Sequence, residues 1–397
     1  MSIIEETARR SGQVLNVSLV LVWVANGVLG TFLALYVSEL GGSLLEVSLV
    51  AALPNLAALM TSAPWGSLSD RFDSRKLFII IGNASLGVTI LAFAFLREAV
   101  PLLSIYGVGS IFIAASVPAL SAYVTTSSSS SGRSLGTLLA VQSLGWAVGS
   151  LAGGFLYESG RIQWAFWMGG LASFLGCIVF GLWFKEPPLR HNNAGKPSIG
   201  GYLRVMSTRG VLPACIVGLI LMVGVNAFSA LFSVYLVIVL TGSKVLLGES
   251  MALSAVLGAI VSPFVGRLND RIGRKPVLIL GGVIYSAFFL AIVFLANPTI
   301  VAILWILPVY PFVYTSLSAL ISDFTSVSER GVGMGILNAS LSLGRVVGPL
   351  VGGIIATVWD IQEVAVIAML LGLAASLYSA FFIVEGRTPI PSSPRPS

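Results

Sequence analysis

Charge is what this sequence has least of. Lys, Arg, Asp and Glu make up 10% of its 397 residues, where a soluble domain carries about 25%. That is too little to clothe a water-soluble surface. Histidine is nearly missing as well. The single copy, His191, falls in a polar stretch, so neither a zinc site nor a histidine-based catalytic dyad is apparent. Two cysteines, Cys177 and Cys215, have neither metal-ligand spacing nor an evident disulfide role. They read as small apolar packing residues. No phosphate loop of the form Gly, four residues, Gly-Lys-Ser/Thr occurs, which excludes a pump driven by ATP through such a loop. No cofactor is expected, and no nucleophile–base pair or metal cluster suggests an enzyme.

What is there is apolar surface. The chain is 56% hydrophobic, with a mean hydropathy of +0.96. A bilayer-crossing helix needs about 20 such residues in a row. Twelve runs qualify, at about 14–38, 47–69, 77–96, 99–126, 134–157, 162–184, 210–241, 250–266, 276–297, 298–322, 331–359 and 364–384. The fold class expected is therefore an all-α membrane protein of twelve transmembrane helices. The first run is too long for a signal segment and lacks a clear cleavage site, so it counts as a retained span.

Basic residues orient the spans. With the N-terminus in the cytoplasm, 18 of the 22 Lys and Arg lie on the cytoplasmic side, three (Arg97, Arg161, Lys244) on the other, and Arg345 inside a span. Both termini are expected in the cytoplasm of a multi-pass protein of the inner or plasma membrane. The same bias explains the net charge of +6, so nucleic acid is not an expected partner. The expected partners are membrane lipid and a small solute, with protons as a further candidate, and the chain is expected to be monomeric.

A polar stretch from Lys185 to Gly210 divides the spans six and six. The expected organisation is an N-terminal bundle at 1–184, a cytoplasmic linker at 185–210 and a C-terminal bundle with a short tail at 211–397. The halves repeat weakly. "GSLSDRFDSRK" from Gly66 returns as "GRLNDRIGRK" from Gly266, and "GWAVGSLAGG" from Gly145 returns as "GRVVGPLVGG" from Gly344. Two parallel six-helix halves, with solute bound where they meet at the midplane, are a known transporter plan.

On these motifs the chain resembles the major facilitator superfamily. "GRLNDRIGRK" is similar to the family's loop motif between the second and third helix of a half. "GRVVGPLVGG" is similar to a motif of proton-coupled drug antiporters. Two departures stand out. Asp73 and Ser74 replace the Gly and Arg of the loop pattern in the first half. In the fifth span Ser150 replaces the antiporter proline, which is present as Pro349 in the eleventh.

The charged turns are candidate gates. The resemblance implies that Asp270 faces the fifth span and Asp70 the eleventh, holding the cytoplasmic side shut, with Arg71 beside Asp70 in the first turn. Arg271 or Arg274 is expected to pair with Asp323, whose first-half equivalent is Thr126. Positive-inside turns that merely exit the membrane are the plainer reading. Gly145, Gly149 and Gly153, and Gly344, Gly348 and Gly352 with Pro349, have the four-residue spacing of close helix contact, expected between the halves.

Arg345 is the one charge well inside a span, and such residues are functional candidates. The resemblance implies a cavity lined by spans 1, 4, 7 and 10. The candidate solute contacts are Trp23 and Asn26, then Asn226 and Phe232, then Tyr310 and Tyr314, with Gln142, Trp146, Asn338 and Arg345 added. An aromatic cavity with a few amides and hydroxyls suits a bulky, moderately hydrophobic solute. Two functions stay open. One is efflux of amphipathic compounds coupled to protons, by rocking of the halves. The other is transport of a sugar or organic anion, with Arg345 as anchor. No Asp or Glu lies mid-span to carry a proton.

Overall fold

The computed structural model describes residues 3–127, 131–184, 186, 199–326 and 329–383. Most of the expected linker, with His191, and the C-terminal tail lie outside these residues. Among the described residues, twelve helices are long and apolar enough to cross a membrane. They are labelled α1 (Ser11–Glu39), α2 (Leu44–Arg71), α3 (Arg75–Phe93), α4 (Ala99–Tyr123), α5 (Gly136–Glu158), α6 (Ile162–Trp183), α7 (Val211–Val239), α8 (Lys244–Ile272), α9 (Arg274–Phe294), α10 (Pro298–Phe324), α11 (Arg330–Val358) and α12 (Ile361–Phe382). They form two six-helix bundles. A short helix, Ile199–Met206, lies between them in sequence.

Local chemistry sets the ends. Ser43 and Glu46 close a reciprocal capping box at the start of α2. Ser243, two hundred positions on, caps α8 by accepting from the Leu246 amide at 3.0 Å. Asn297 caps α10 ahead of Pro298. The α2–α3 turn passes through Asp73 at φ 49°, and the α8–α9 turn through Gly273 at φ 98° and ψ 158°. The first conformation is open to Asp. The second belongs to glycine alone. This is the physical content of the Asp-for-Gly departure.

Three spans are interrupted. α4 breaks between Ile113 and Ser116. α7 breaks near Leu231 and continues through a wider π-turn, Tyr235–Val239. α10 opens between Ile306 and Tyr310, where Pro308 lacks an amide hydrogen. Membrane helices tolerate such breaks where they are buried in protein or line a cavity.

The charged turns bind their own half. Lys76 Nζ donates to the Phe184 carbonyl at 2.8 Å, and Lys275 Nζ to the Ala380 carbonyl at 2.7 Å. Each lysine thus caps the last helix of its bundle, where a cation is favoured. Arg75 Nη1 reaches the Ala122 carbonyl at 3.0 Å. Its counterpart Arg274 pairs with Asp323 at 2.9 Å. The first-half partner is thus a carbonyl at the end of α4. The side chain of Thr126 is outside the described residues.

Candidate functional site

The face that carries the charged turns is called here the linker face, and its opposite the far face. At the far face the halves meet through small residues. A Cβ added to Gly248 of α8 would collide with the Ser150 carbonyl of α5. One on Gly154 would lie 3.0 Å from the Lys244 carbonyl, and one on Gly353 of α11 would lie 2.7 Å from Ser48 Oγ of α2. Toward the linker face the contact ends: a Cβ on Gly136 of α5 or Gly258 of α8 would meet nothing within 4 Å. From Gly248 to Gly258 is about 15 Å along a helix.

Into that divergence opens a cavity of about 690 Å³. Its walls come mostly from the second bundle. α8 gives a stripe of small residues, Ser254, Ala255, Gly258, Ala259 and Ser262. α9 and α10 give aromatics, among them Phe288, Trp305, Tyr310 and Tyr314. α5 closes the side with Leu139, Ala140 and Ser143, and the α10 break lines it through Leu307, Pro308 and Val309. Tyr310 and Tyr314 stack with ring centroids 5.5 Å apart. Trp305 stacks on Phe232 at 3.7 Å.

Of the candidate solute contacts, Tyr310 and Tyr314 line the cavity. The others are corrected as follows. Phe232 is fully buried and backs the wall behind Trp305. Asn226 is one residue from the lining Val225, about 100° around the helix, and its amide donates to the Met222 carbonyl at 2.8 Å. Asn26, two hundred positions earlier, does the same to the Val22 carbonyl at 3.0 Å. Gln142 and Trp146 flank Ser143 without lining the cavity. The Trp146 ring lies on Gly30 of α1 and 6.1 Å from the Trp23 ring, packing α5 on α1. Trp23 belongs to that packing, and Asn338 is exposed on α11. Arg345 is not among the lining residues itself but neighbours the lining Tyr310, with its guanidinium beside the Tyr310 hydroxyl.

The repeated glycines need the same correction. Gly145, Gly149 and Gly153 press on α1, and Gly344, Gly348 and Gly352 press on α7, each within its own half. Pro349 is buried beside them. The cross-half contacts belong instead to Gly154, Gly248 and Gly353. Each stripe lets one helix approach its partner closely, and a four-residue repeat faces only one partner.

The gate candidates are split. Arg274 joins Asp323, as expected, and also lies 3.7 Å from Asp270. Asp70, Arg71, Asp270 and Arg271 are exposed. The carboxylate contacts expected across the halves are absent among the described residues, because the halves diverge toward this face.

The far face holds a cluster that sequence reasoning missed. Lys244 opens α8 in the second half. Its ammonium lies 2.8 Å from Glu39 at the end of α1 and 3.9 Å above the Tyr157 ring of α5. Its backbone amide donates to Glu158 at 2.6 Å, and the Tyr157 hydroxyl donates to Glu39 at 2.6 Å. The signal was available: Lys244 is one of only three basic residues assigned to that face. On the linker face, Arg204 of the short helix pairs with Glu329, which also accepts from Ser326 at 2.7 Å. The Ser326 hydroxyl and the Arg204 guanidinium hold the Glu329 carboxyl below the ordinary glutamate value.

Comparison with known proteins follows this geometry. The family model described as Major Facilitator Superfamily matches residues 15–310 and 214–397. An uncharacterized MFS-type transporter of Methanocaldococcus jannaschii is 24% identical over 365 residues, 88% of this chain and 93% of that protein. Multidrug resistance protein MdtG of Klebsiella pneumoniae is 25% identical over 378 residues, 88% of this chain and 87% of its own. Multidrug resistance protein 2 of Bacillus subtilis is 33% identical over 151 residues, 37% of this chain and 36% of that one. Among solved structures, a mutant of the nucleoside transporter NupG superposes with a TM-score of 0.81 at 13% identity, covering 93% of this chain and 99% of that one.

Proposed function

The chain belongs to the major facilitator superfamily, and from that membership we propose that it exports amphipathic organic compounds from the cell in exchange for protons. The observation that carries this reading is the cavity wall. Aromatic rings, small residues and a few hydroxyls suit a bulky, largely apolar solute. A sugar site would offer many more hydrogen-bonding side chains. The relatives named multidrug resistance proteins support the same class.

The linker face is the cytoplasmic one in this reading, supported by the basic bias of the sequence. The cavity is then loaded from inside while Lys244 and the glycine contacts close the outside. Rocking breaks the far-face contacts and brings the linker-face ends together, where Asp70 and Asp270 meet the opposite half. The protein works as a monomer in the inner or plasma membrane, surrounded by lipid. Each half is a six-helix unit, and residues 185–210 join them.

Reconstituted protein tests this. Liposomes loaded with a lipophilic fluorescent dye should release it faster when a pH gradient is imposed. Ala255→Trp, which fills the cavity, should abolish release. Gradient-independent movement, or full activity in Ala255→Trp, would overturn the reading. Arg345 favours a second reading of the solute, as an organic anion.

A further inference from the structure

We propose that the solute of this cavity is an amphipathic organic anion, its charged group held by Arg345 together with Tyr310 and its apolar body lying among Phe288, Trp305 and Tyr314. The proposal rests on the cavity being the solute site and adds the charge of what enters it.

Arg345 is the sixteenth residue of α11 (Arg330–Val358), about 22 Å from the start of the helix at 1.5 Å per residue. A guanidinium does not lose its proton under any physiological condition. Its charge is therefore permanent at mid-span, where a charge is expensive unless compensated. Compensation by a carboxylate is not provided. Among the described residues, every Asp and Glu of the spans lies within two turns of a helix end. The salt bridges of the described residues leave Arg345 out. Its neighbour is the neutral hydroxyl of Tyr310, whose side chain faces the cavity.

The remaining cavity wall is neutral. Among the described residues, it contains no Asp, Glu, Lys or Arg. Among the described residues, the site is thus a low-dielectric pocket with one fixed positive charge beside its lining Tyr310 and none of the opposite sign. Coulomb interactions are strong in such surroundings. An anion is drawn in and a cation is repelled. The guanidinium fork matches a carboxylate, sulfonate or phosphate in two-point fashion. At about 690 Å³, the cavity has room for a body of several fused rings beyond the charged group. Five hydroxyls, of Ser143, Ser229, Ser254, Ser262 and Thr315, serve secondary polar groups on that body.

The test uses three probes that share one ring system and differ in charge: 2-naphthoate, 2-naphthamide and 2-naphthylmethylammonium. Binding of each is measured by equilibrium dialysis to the full chain in lipid nanodiscs. On the wild type, the carboxylate should bind at least tenfold more tightly than the amide, and the ammonium should bind more weakly than the amide. Arg345→Gln should bring the carboxylate down to the level of the amide and leave the amide within twofold. Retained amide binding reports that the variant is folded. If Arg345→Gln does not fold, Arg345→Lys should lose several-fold on the carboxylate alone, because the charge stays and the fork goes. Equal affinity of carboxylate and amide for the wild type overturns the proposal. So does an equal loss of both in either variant, or absence of binding by all three probes. Ala255→Trp separates the two levels. Loss of all binding there supports the cavity, whereas carboxylate binding that persists in Ala255→Trp refutes the cavity as the site and the proposal with it.

Discussion

Replacing Lys244 by methionine should push the protein toward a state open at the far face. The side chain keeps its length and its apolar contact with the Tyr157 ring but loses its charge. Three interactions are at stake. The ion pair with Glu39, 2.8 Å long, is between side chains that are 22% and 35% exposed. Pairs that are fully exposed contribute about 0.2–1 kcal/mol, and partial burial raises that figure. The ammonium over the Tyr157 ring at 3.9 Å adds about 0.5–1 kcal/mol. The third interaction, from the Lys244 backbone amide to Glu158, survives any change of side chain. The loss is therefore about 1–2 kcal/mol, which multiplies the far-face-open population by about 5 to 30.

Spin labels on Ser159→Cys and Thr299→Cys, both exposed, report the opening by pulsed electron resonance distances. The long-distance fraction should rise in Lys244→Met and in Glu39→Gln, and stay at the wild-type level in Lys244→Arg. The double variant should show no more opening than Lys244→Met alone, because Lys244→Met already removes the pair that Glu39→Gln breaks. Additive effects, or an unchanged distance distribution in Lys244→Met, would refute the assignment of this cluster as a latch between the halves.

Three other outcomes are expected. Gly273→Ala should lower thermal stability by about 1–3 kcal/mol, because only glycine holds that backbone conformation without strain; Asp73→Gly in the equivalent turn should change the melting temperature little, and equal losses in both would contradict the turn geometry. The Arg204–Glu329 clasp should be complete above the ordinary glutamate value and open as pH falls below it, since its carboxyl is held down by Ser326 and Arg204; a distance from Tyr202 to Ser322 should report this, and the same pH response in Glu329→Gln would sink it. A cysteine at Gly160 should react with an impermeant maleimide added to intact cells, and one at Ser207 should not; the reverse pattern would invert the orientation.

The spans were legible because length and apolarity are read along the chain without knowing any neighbour. The boundary at α8 was the least accurate. The apolar run begins near 250, whereas the helix begins at Lys244, because Lys244 and Glu249 look like loop charges until the partners on α1 and α5 are known. Family membership was readable in the charged turns, as was a partner for Asp323 at Arg271 or Arg274, of which the structure has Arg274. Which face of each helix meets the cavity was not readable. In a membrane, the lipid-facing and packed sides are both apolar, so periodicity does not choose between Asn226 and Val225, or between Gln142 and Ser143. The stripe of Ser254, Gly258 and Ser262 on α8 did carry a signal, since small residues at four-residue spacing mark either a helix contact or open space.

The duplicated plan also explains why the cavity lies in the second half. Trp146 and Arg345 occupy matching positions in α5 and α11. In the first half, Gly27 and Gly30 of α1 leave a notch, and a Cβ on Gly30 would strike the Trp146 ring. The indole fills that notch and seals α1 against α5. The matching positions in α7 are Ala227 and Ala230, where a Cβ takes the place of each glycine hydrogen. In that half the side chain at 345 neighbours Tyr310 on α10 instead. The two glycine stripes do the same packing work in both halves, so that difference in side-chain direction does not come from the backbone. The halves thus differ at matching positions: Trp146 packs on Gly30 in the first, whereas Arg345 neighbours Tyr310 in the second.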